Sequence, residues 1–167
     1  LFADCEFEQN SGSPYGALTI CRITNLQVER CIFRDNDCGG GGDAISVNCF
    51  DDGGHVVVRN SVFMENGEPT CGHNFVGANS SARIENSVFC SNDGINLSDG
   101  WETENIRELK GCPVETDCDG DGQVDWIQCA FNPEIDLDGN LVPDCCETCT
   151  GDVVVNGVVD AEDLGAL

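Results

Sequence analysis

The residues best placed to do chemistry are carboxylates at alternate positions in three C-terminal segments, DCDGDGQVDWIQ (117–128), DLDGNLVPDCCE (136–147) and GDVVVNGVVDAEDL (151–164). A hard cation such as Ca²⁺ takes six to eight oxygens at about 2.4 Å. A loop supplies them with acidic or amide side chains at positions 1, 3 and 5, a turn glycine at 6, a backbone carbonyl at 7, and acidic groups at 9 and 12. In the first segment Asp117, Asp119 and Asp121 take positions 1, 3 and 5, Gln123 offers the carbonyl and Asp125 takes position 9, while Gln128 stands at position 12. In the second, Asp136, Asp138 and Asn140 lead, Val142 offers the carbonyl, Asp144 follows and Glu147 closes the set, with Leu141 in place of the turn glycine. The third keeps Asp152, Asn156, Val158 (by its carbonyl), Asp160 and Asp163, but Val154 removes the ligand at position 3. Only the second loop has a full set of oxygen ligands by this pattern. Zinc is the other cation to weigh, because Cys146 and Cys149 have CxxC spacing, but no second CxxC or paired His accompanies them and the neighbouring acids favour calcium.

The charge supports the same emphasis. The chain has 167 residues, 31 Asp and Glu against 7 Lys and Arg, and a formal net charge of −24. Phosphate backbones and anionic lipid would repel it, which argues against nucleic acid and membrane surfaces as partners. Lys110 is the last basic residue, and the fourteen acids beyond it give residues 111–167 a charge of −14 against −10 for residues 1–110. A boundary near residue 110 follows. The 13 cysteines suit an oxidising compartment, so the chain is expected to be extracellular or at a cell surface. It shows no signal-peptide pattern and no run of about 18 apolar residues, so a mature or truncated secreted chain is expected.

The elements that must carry these loops are strands. The segments 3–10, 29–36, 59–66 and 85–92 align on Phe7, Phe33, Phe63 and Phe89, each followed three residues later by Asn10, Asn36, Asn66 and Asn92. A small side chain (Cys5, Cys31, Ser61, Ser87) stands two residues before each Phe and an apolar one (Phe2, Val28, Val58, Ile84) five before. A second alternation recurs at Ala17–Ile20 and Ala44–Val47. Period-two alternation between Gly/Asn/Asp-rich turns, repeated every 26 to 30 residues, predicts short parallel strands stacked about 4.8 Å apart with equivalent residues above one another. Phe is then expected on Phe, Asn at the left-handed corners, and Cys5 within disulfide reach of Cys31. Cys21–Cys49 and Cys90–Cys112 are further expected pairs, although spacing leaves the connectivity open and the odd total leaves a thiol over.

The repeat resembles the right-handed parallel β-helix family of secreted and surface proteins over about residues 1–97. The expected fold is therefore all-β: a short right-handed parallel β-helix of about four coils over 1–110, then an irregular, disulfide-rich calcium-loop tail over 111–167. That tail resembles thrombospondin type 3 repeats at its first two loops. Gly151–Leu167 is similar to the first half of a dockerin type I segment, with one loop–helix unit where a dockerin has two and a helix expected from about Ala161.

Catalysis on such a surface needs a carboxylate pair or a base beside bound calcium. Arg30, Arg59, Arg83, Glu29, Glu65 and Glu85 are the candidates, but outward charges on strands are ordinarily solvated, and His55 and His73 have no sequence pattern of a nucleophile around them. The chain is expected not to be an enzyme. A structural role is expected instead: a calcium-binding extracellular protein that forms a homo-oligomer or filament through its open strand edges, or meets a neighbouring surface protein. Cell-surface adhesion with glycan or protein binding is the alternative, and a polysaccharide lyase or hydrolase fragment a third. Asn79 and Asn96 lie in glycan-acceptor sequons.

Overall fold

The computed structural model describes residues 1–11, 16–21, 25–37, 44–48, 55–67, 81–92, 101–118 and 120–147. The chain divides into two compact units, Leu1–Cys112 and Pro113–Leu167.

In the first unit the apolar alternation becomes strands β1 (Phe2–Ala3), β2 (Glu6–Glu8), β3 (Leu18–Cys21), β4 (Asn25–Glu29), β5 (Ile32–Arg34) and β6 (Ile45–Asn48). It continues through β7 (His55–Arg59), β8 (Val62–Met64), β9 (Ser81–Glu85), β10 (Val88–Cys90), β11 (Trp101–Glu104) and β12 (Arg107–Leu109). All described pairings are parallel. They order into two five-stranded sheets, β1-β4-β7-β9-β11 and β2-β5-β8-β10-β12, with a two-stranded sheet β3-β6.

This corrects the expected architecture. The described strands form stacked parallel sheets, five strands deep, rather than a right-handed parallel β-helix of about four coils. Each repeat supplies two segments with strong strand character, the Val/Ile alternation and the small-x-Phe run. The third face holds only the β3-β6 pair among the described residues. Beyond residue 97, where the aligned repeats end, the chain contributes β11 and β12, the fifth strand of each sheet. Nor are the described residues of the second unit irregular, because they form helix α1 (Asp125–Phe131) and two 3₁₀ turns, Pro133–Ile135 and Asp144–Cys146.

The register of the repeat is as its spacing predicts. Phe7, Phe33, Phe63 and Phe89 are direct partners from strand to strand. Their rings stack at 4.7, 4.9 and 4.5 Å with planes within 5° of parallel. Leu26, Val28, Val56, Val58, Ala82 and Ile84 point inward beside them, and exposed Asn25 and Gln27 show the period-two alternation on β4. Each large apolar side chain so buried contributes about 1.5–3 kcal/mol relative to its exposed state.

Two columns of left-handed residues turn the chain between sheets. One is Asp4, Arg30, Asn60, Asn86 and Asn105, the other Gln9, Asp35, Glu65 and Ser91, all with φ between 46° and 55°. The second column corrects the expectation for Asn: the residue before it takes the strained conformation, and Asn itself turns inward. Asn36 donates its backbone N–H and its Nδ2 to Asn66 Oδ1, at 3.2 and 2.9 Å, and Nδ2 also to the Phe7 carbonyl at 2.9 Å. The pattern recurs from Asn10 to Asn36 and from Asn66 to Asn92. Left-handed non-glycine residues cost of order 1 kcal/mol each, and this buried amide ladder offsets the strain at the neighbouring corners.

The small-residue column explains why Cys5 and Cys31 remain free thiols rather than the expected disulfide. Ser61 and Ser87 donate to the carbonyls two residues earlier, Arg59 and Glu85, at 2.8 Å each. Cys5 and Cys31 aim their sulfurs at the equivalent carbonyls of Ala3 and Glu29. A disulfide would take both sulfurs away from those corners. Burial pushes the Cys31 thiol above its ordinary pKa. Cys90 and Cys112 are bonded as expected. The Cys21 side chain and Cys49 lie outside the described residues.

Candidate metal centre

The second unit is held by a Cys118–Cys146 disulfide, a pairing the spacing does not reveal, and by α1, which buries Trp126, Ile127, Cys129 and Ala130. With so few apolar residues, order here depends on polar loop contacts and the cross-link.

The first loop is wound around Asp117. Its Oδ1 accepts the N–H groups of Gly120 at 2.7 Å and Asp121 at 3.2 Å, and its Oδ2 that of Gly122 at 3.0 Å. Such close wrapping of backbone around a carboxylate requires φ values of +74° and +88° at Gly120 and Gly122, which glycine adopts freely. Asp121 accepts the Gln123 N–H at 2.8 Å, and its other oxygen accepts the Gln128 amide at 2.7 Å. Buried Asp125 accepts the Cys118 N–H at 3.1 Å. Asp119 lies outside the described residues.

The second loop repeats the plan. Asp136, 8% exposed, accepts the N–H of Asn140 at 2.9 Å on one oxygen and that of Leu141 at 3.0 Å on the other. Asp138 accepts from the backbone and side-chain amides of Asn140. Asp144 accepts the Leu137 N–H at 3.2 Å, and Asn140 Oδ1 accepts that of Val142 at 2.7 Å. Glu147 Oε1 meets the Asn140 side chain. Oxygens of Asp136, Asp138 and Asp144 lie within 4.8 Å of one another. Leu141, standing where the loop pattern has glycine, takes φ +70° and is buried. Its side-chain burial offsets a backbone strain of order 1 kcal/mol.

Position by position, the structure gathers Asp136, Asp138 and Asp144 and brings Asn140 to Glu147 in the second loop. In the first it joins Asp117, Asp121 and Gln123 through the loop backbone. Asp152, Asn156, Val158, Asp160 and Asp163 lie outside the described residues. Sequence reasoning treats Gln128 as a defect in the first loop; in the structure its amide reaches Asp121, a contact its position-12 spacing could have signalled. The donor atoms are hard oxygens, which suit a hard divalent cation. A second group, Cys118, Asp125 and Cys146, also lies within 4.8 Å, but its two sulfurs are joined to each other and offer no thiolate to a softer metal.

On the first unit the charged candidates pair with one another. Arg30 grips Asp4 through Nε and Nη2, at 2.7 and 2.9 Å, which holds the Asp4 carboxyl below its usual pKa. Arg59 meets Glu85, and Arg83 meets Glu85 and Glu104. Glu65 is an exposed corner residue. Strand register also brings Ser81 Oγ to within 2.9 Å of His55 Nδ1 on the exposed surface, a neighbour that the sequence does not show. His73 lies outside the described residues.

Among the described residues no helix is long and apolar enough to cross a membrane. No family model matches the chain, and neither curated proteins nor solved structures give a match. The Cys90–Cys112 and Cys118–Cys146 disulfides suit an oxidising setting of the extracellular kind.

Proposed function

We propose that this chain is an extracellular, non-enzymatic structural protein whose second unit binds calcium, in the manner of the thrombospondin type 3 and dockerin segments it resembles, and whose first unit self-associates or meets a neighbouring surface protein. The carrying observation is the second loop, where three carboxylates converge within 4.8 Å with Glu147 at the closing position. Held together without a cation, these charges repel; a divalent ion converts that repulsion into a cross-link between Asp136 and the Asp144–Cys146 turn. Self-association is supported by the sheet order, in which β1, β2, β11 and β12 are the outer strands among the described residues and carry backbone groups that another chain can pair with.

Calorimetric titration of the oxidised chain with CaCl₂ tests the first part. Heat of binding and a melting temperature that rises with calcium are expected. An unchanged melt and a flat isotherm at millimolar calcium would refute it. Sedimentation velocity with and without calcium tests the second part, with concentration-dependent larger species expected and a strict monomer ruling it out.

A further inference from the structure

Among the described sulfurs, one exposed thiol lies beside an existing disulfide. Cys145 is free and exposed, and its Sγ is 3.8 Å from the Sγ of Cys146, which is bonded to Cys118. The two cysteines share the 3₁₀ turn Asp144–Cys146, so the approach is fixed by one turn of backbone rather than by chance encounter. A sulfur at that range is close to van der Waals contact with the atom a thiolate attacks in thiol–disulfide exchange.

We propose that Cys118, Cys145 and Cys146 form an exchangeable three-sulfur switch. Cys145 gives its proton to solvent and its sulfur attacks Cys146 Sγ. A Cys145–Cys146 bond forms, the Cys118–Cys146 bond breaks, and Cys118 leaves as a thiolate that takes a proton from water. One thiol and one disulfide stand on each side, so no oxidant or reductant is consumed. The new bond closes an eight-membered ring between adjacent residues, which keeps the isomer with Cys118 free in the minority.

The exchange has a mechanical result. Cys118 lies next to Asp117, around which the first loop is wound, and Cys146 lies next to Glu147 at the end of the second. The Cys118–Cys146 bond joins residues 28 apart and so ties the start of the first loop, just after Asp117, to the end of the second, just before Glu147; exchange opens that ring. Cation binding by the loops rests on the reading above; the sulfur chemistry does not.

The test separates the two. The full oxidised chain is held at pH 8, quenched with acid, and its free thiols are labelled with N-ethylmaleimide in denaturant at mildly acidic pH. Cleavage at Asp and Glu followed by fragment mass spectrometry then assigns each label. Wild type is expected to divide its label between Cys145 and a smaller share on Cys118, and Cys145→Ser is expected to lower the Cys118 label at least tenfold. Because Cys145 is exposed, that variant keeps its packing. Label confined to Cys145 in wild type, or Cys118 label undiminished in Cys145→Ser, overturns the proposal. A calcium titration of both proteins reports separately: a flat isotherm in each, with the label still divided, would refute calcium binding and leave the exchange standing.

Discussion

Replacing Gln128 with Glu puts the position-12 side chain of the first loop to a quantitative test. Gln128 donates its amide to Asp121 Oδ2 at 2.7 Å, so a neutral side chain now stands where the second loop has Glu147. Glu at this site removes a hydrogen bond to a charged group, worth about 1.5–3 kcal/mol. It also sets two carboxylates about 4 Å apart, which at a partly exposed site costs between about 1 and 4 kcal/mol. Without calcium, Gln128→Glu should therefore melt several degrees below wild type. With calcium bound, the added carboxylate becomes a ligand and the repulsion becomes attraction, so the order should reverse at millimolar calcium and affinity should rise roughly tenfold, about 1.4 kcal/mol. Differential scanning calorimetry in chelator and in calcium, with titration calorimetry for affinity, gives both numbers. If the variant melts lower by the same amount in both buffers and its isotherm matches wild type, Gln128 is only a structural partner of Asp121 and the first loop is not a cation site.

Three further predictions concern the sheet stack. Phe63→Ala empties a fully buried site between two stacked rings and should cost about 3–5 kcal/mol in urea denaturation of the first unit's transition. Asn66→Ala removes the acceptor of the Asn36 amides and the donor to the Phe33 carbonyl, leaving buried groups unpaired at a cost of about 2–4 kcal/mol by the same measurement. Cys31, whose folded thiol pKa is raised by burial, should resist iodoacetamide at pH 8.5 in the native chain and react once the chain is unfolded. The sign of the linked stability follows: the contribution is complete below the unfolded thiol's value near 9.0 and is lost as pH rises beyond it, because the unfolded thiol gives up its proton first. Denaturation midpoints of wild type and Cys31→Ser between pH 8 and 10 should converge as pH rises.

How far the sequence could be read depended on whether a position's neighbours were set by stacking. The Phe, Asn and small-residue columns were legible because parallel pairing puts equivalent residues in direct contact, and chemistry that works once works again on the next strand. The fifth strand of each sheet was not, because Glu108 stands in the Phe column and Gly111 falls where the next Asn would be, so the marker residues vanish while the pairing continues. The global arrangement was misjudged for a related reason: the repeat specifies two strong strand segments in every unit, whereas the second alternation, at Ala17–Ile20 and Ala44–Val47, gives a paired sheet among the described residues only at β3 and β6. In the tail, alternate carboxylates located the loops, but the same residues concealed α1, whose Asp125 reads equally well as a ligand and as a first-turn helix residue. The Cys118–Cys146 bond was out of reach because contact between two loops is a tertiary fact that cysteine spacing does not encode.

The unequal repeat length has a consequence for what this scaffold can carry. Phe7 to Phe33 spans 26 residues and Phe33 to Phe63 spans 30, yet both pairs meet in the same register. Leu18 pairs with Ile45, an offset of 27, so one of the four additional residues enters before β6 and three after it. Pairing is thus indifferent to the length of chain between strands, much as rungs of a ladder are indifferent to what hangs from its side rails. Residues added between β6 and β7 should therefore leave every ring and amide of the stack in line.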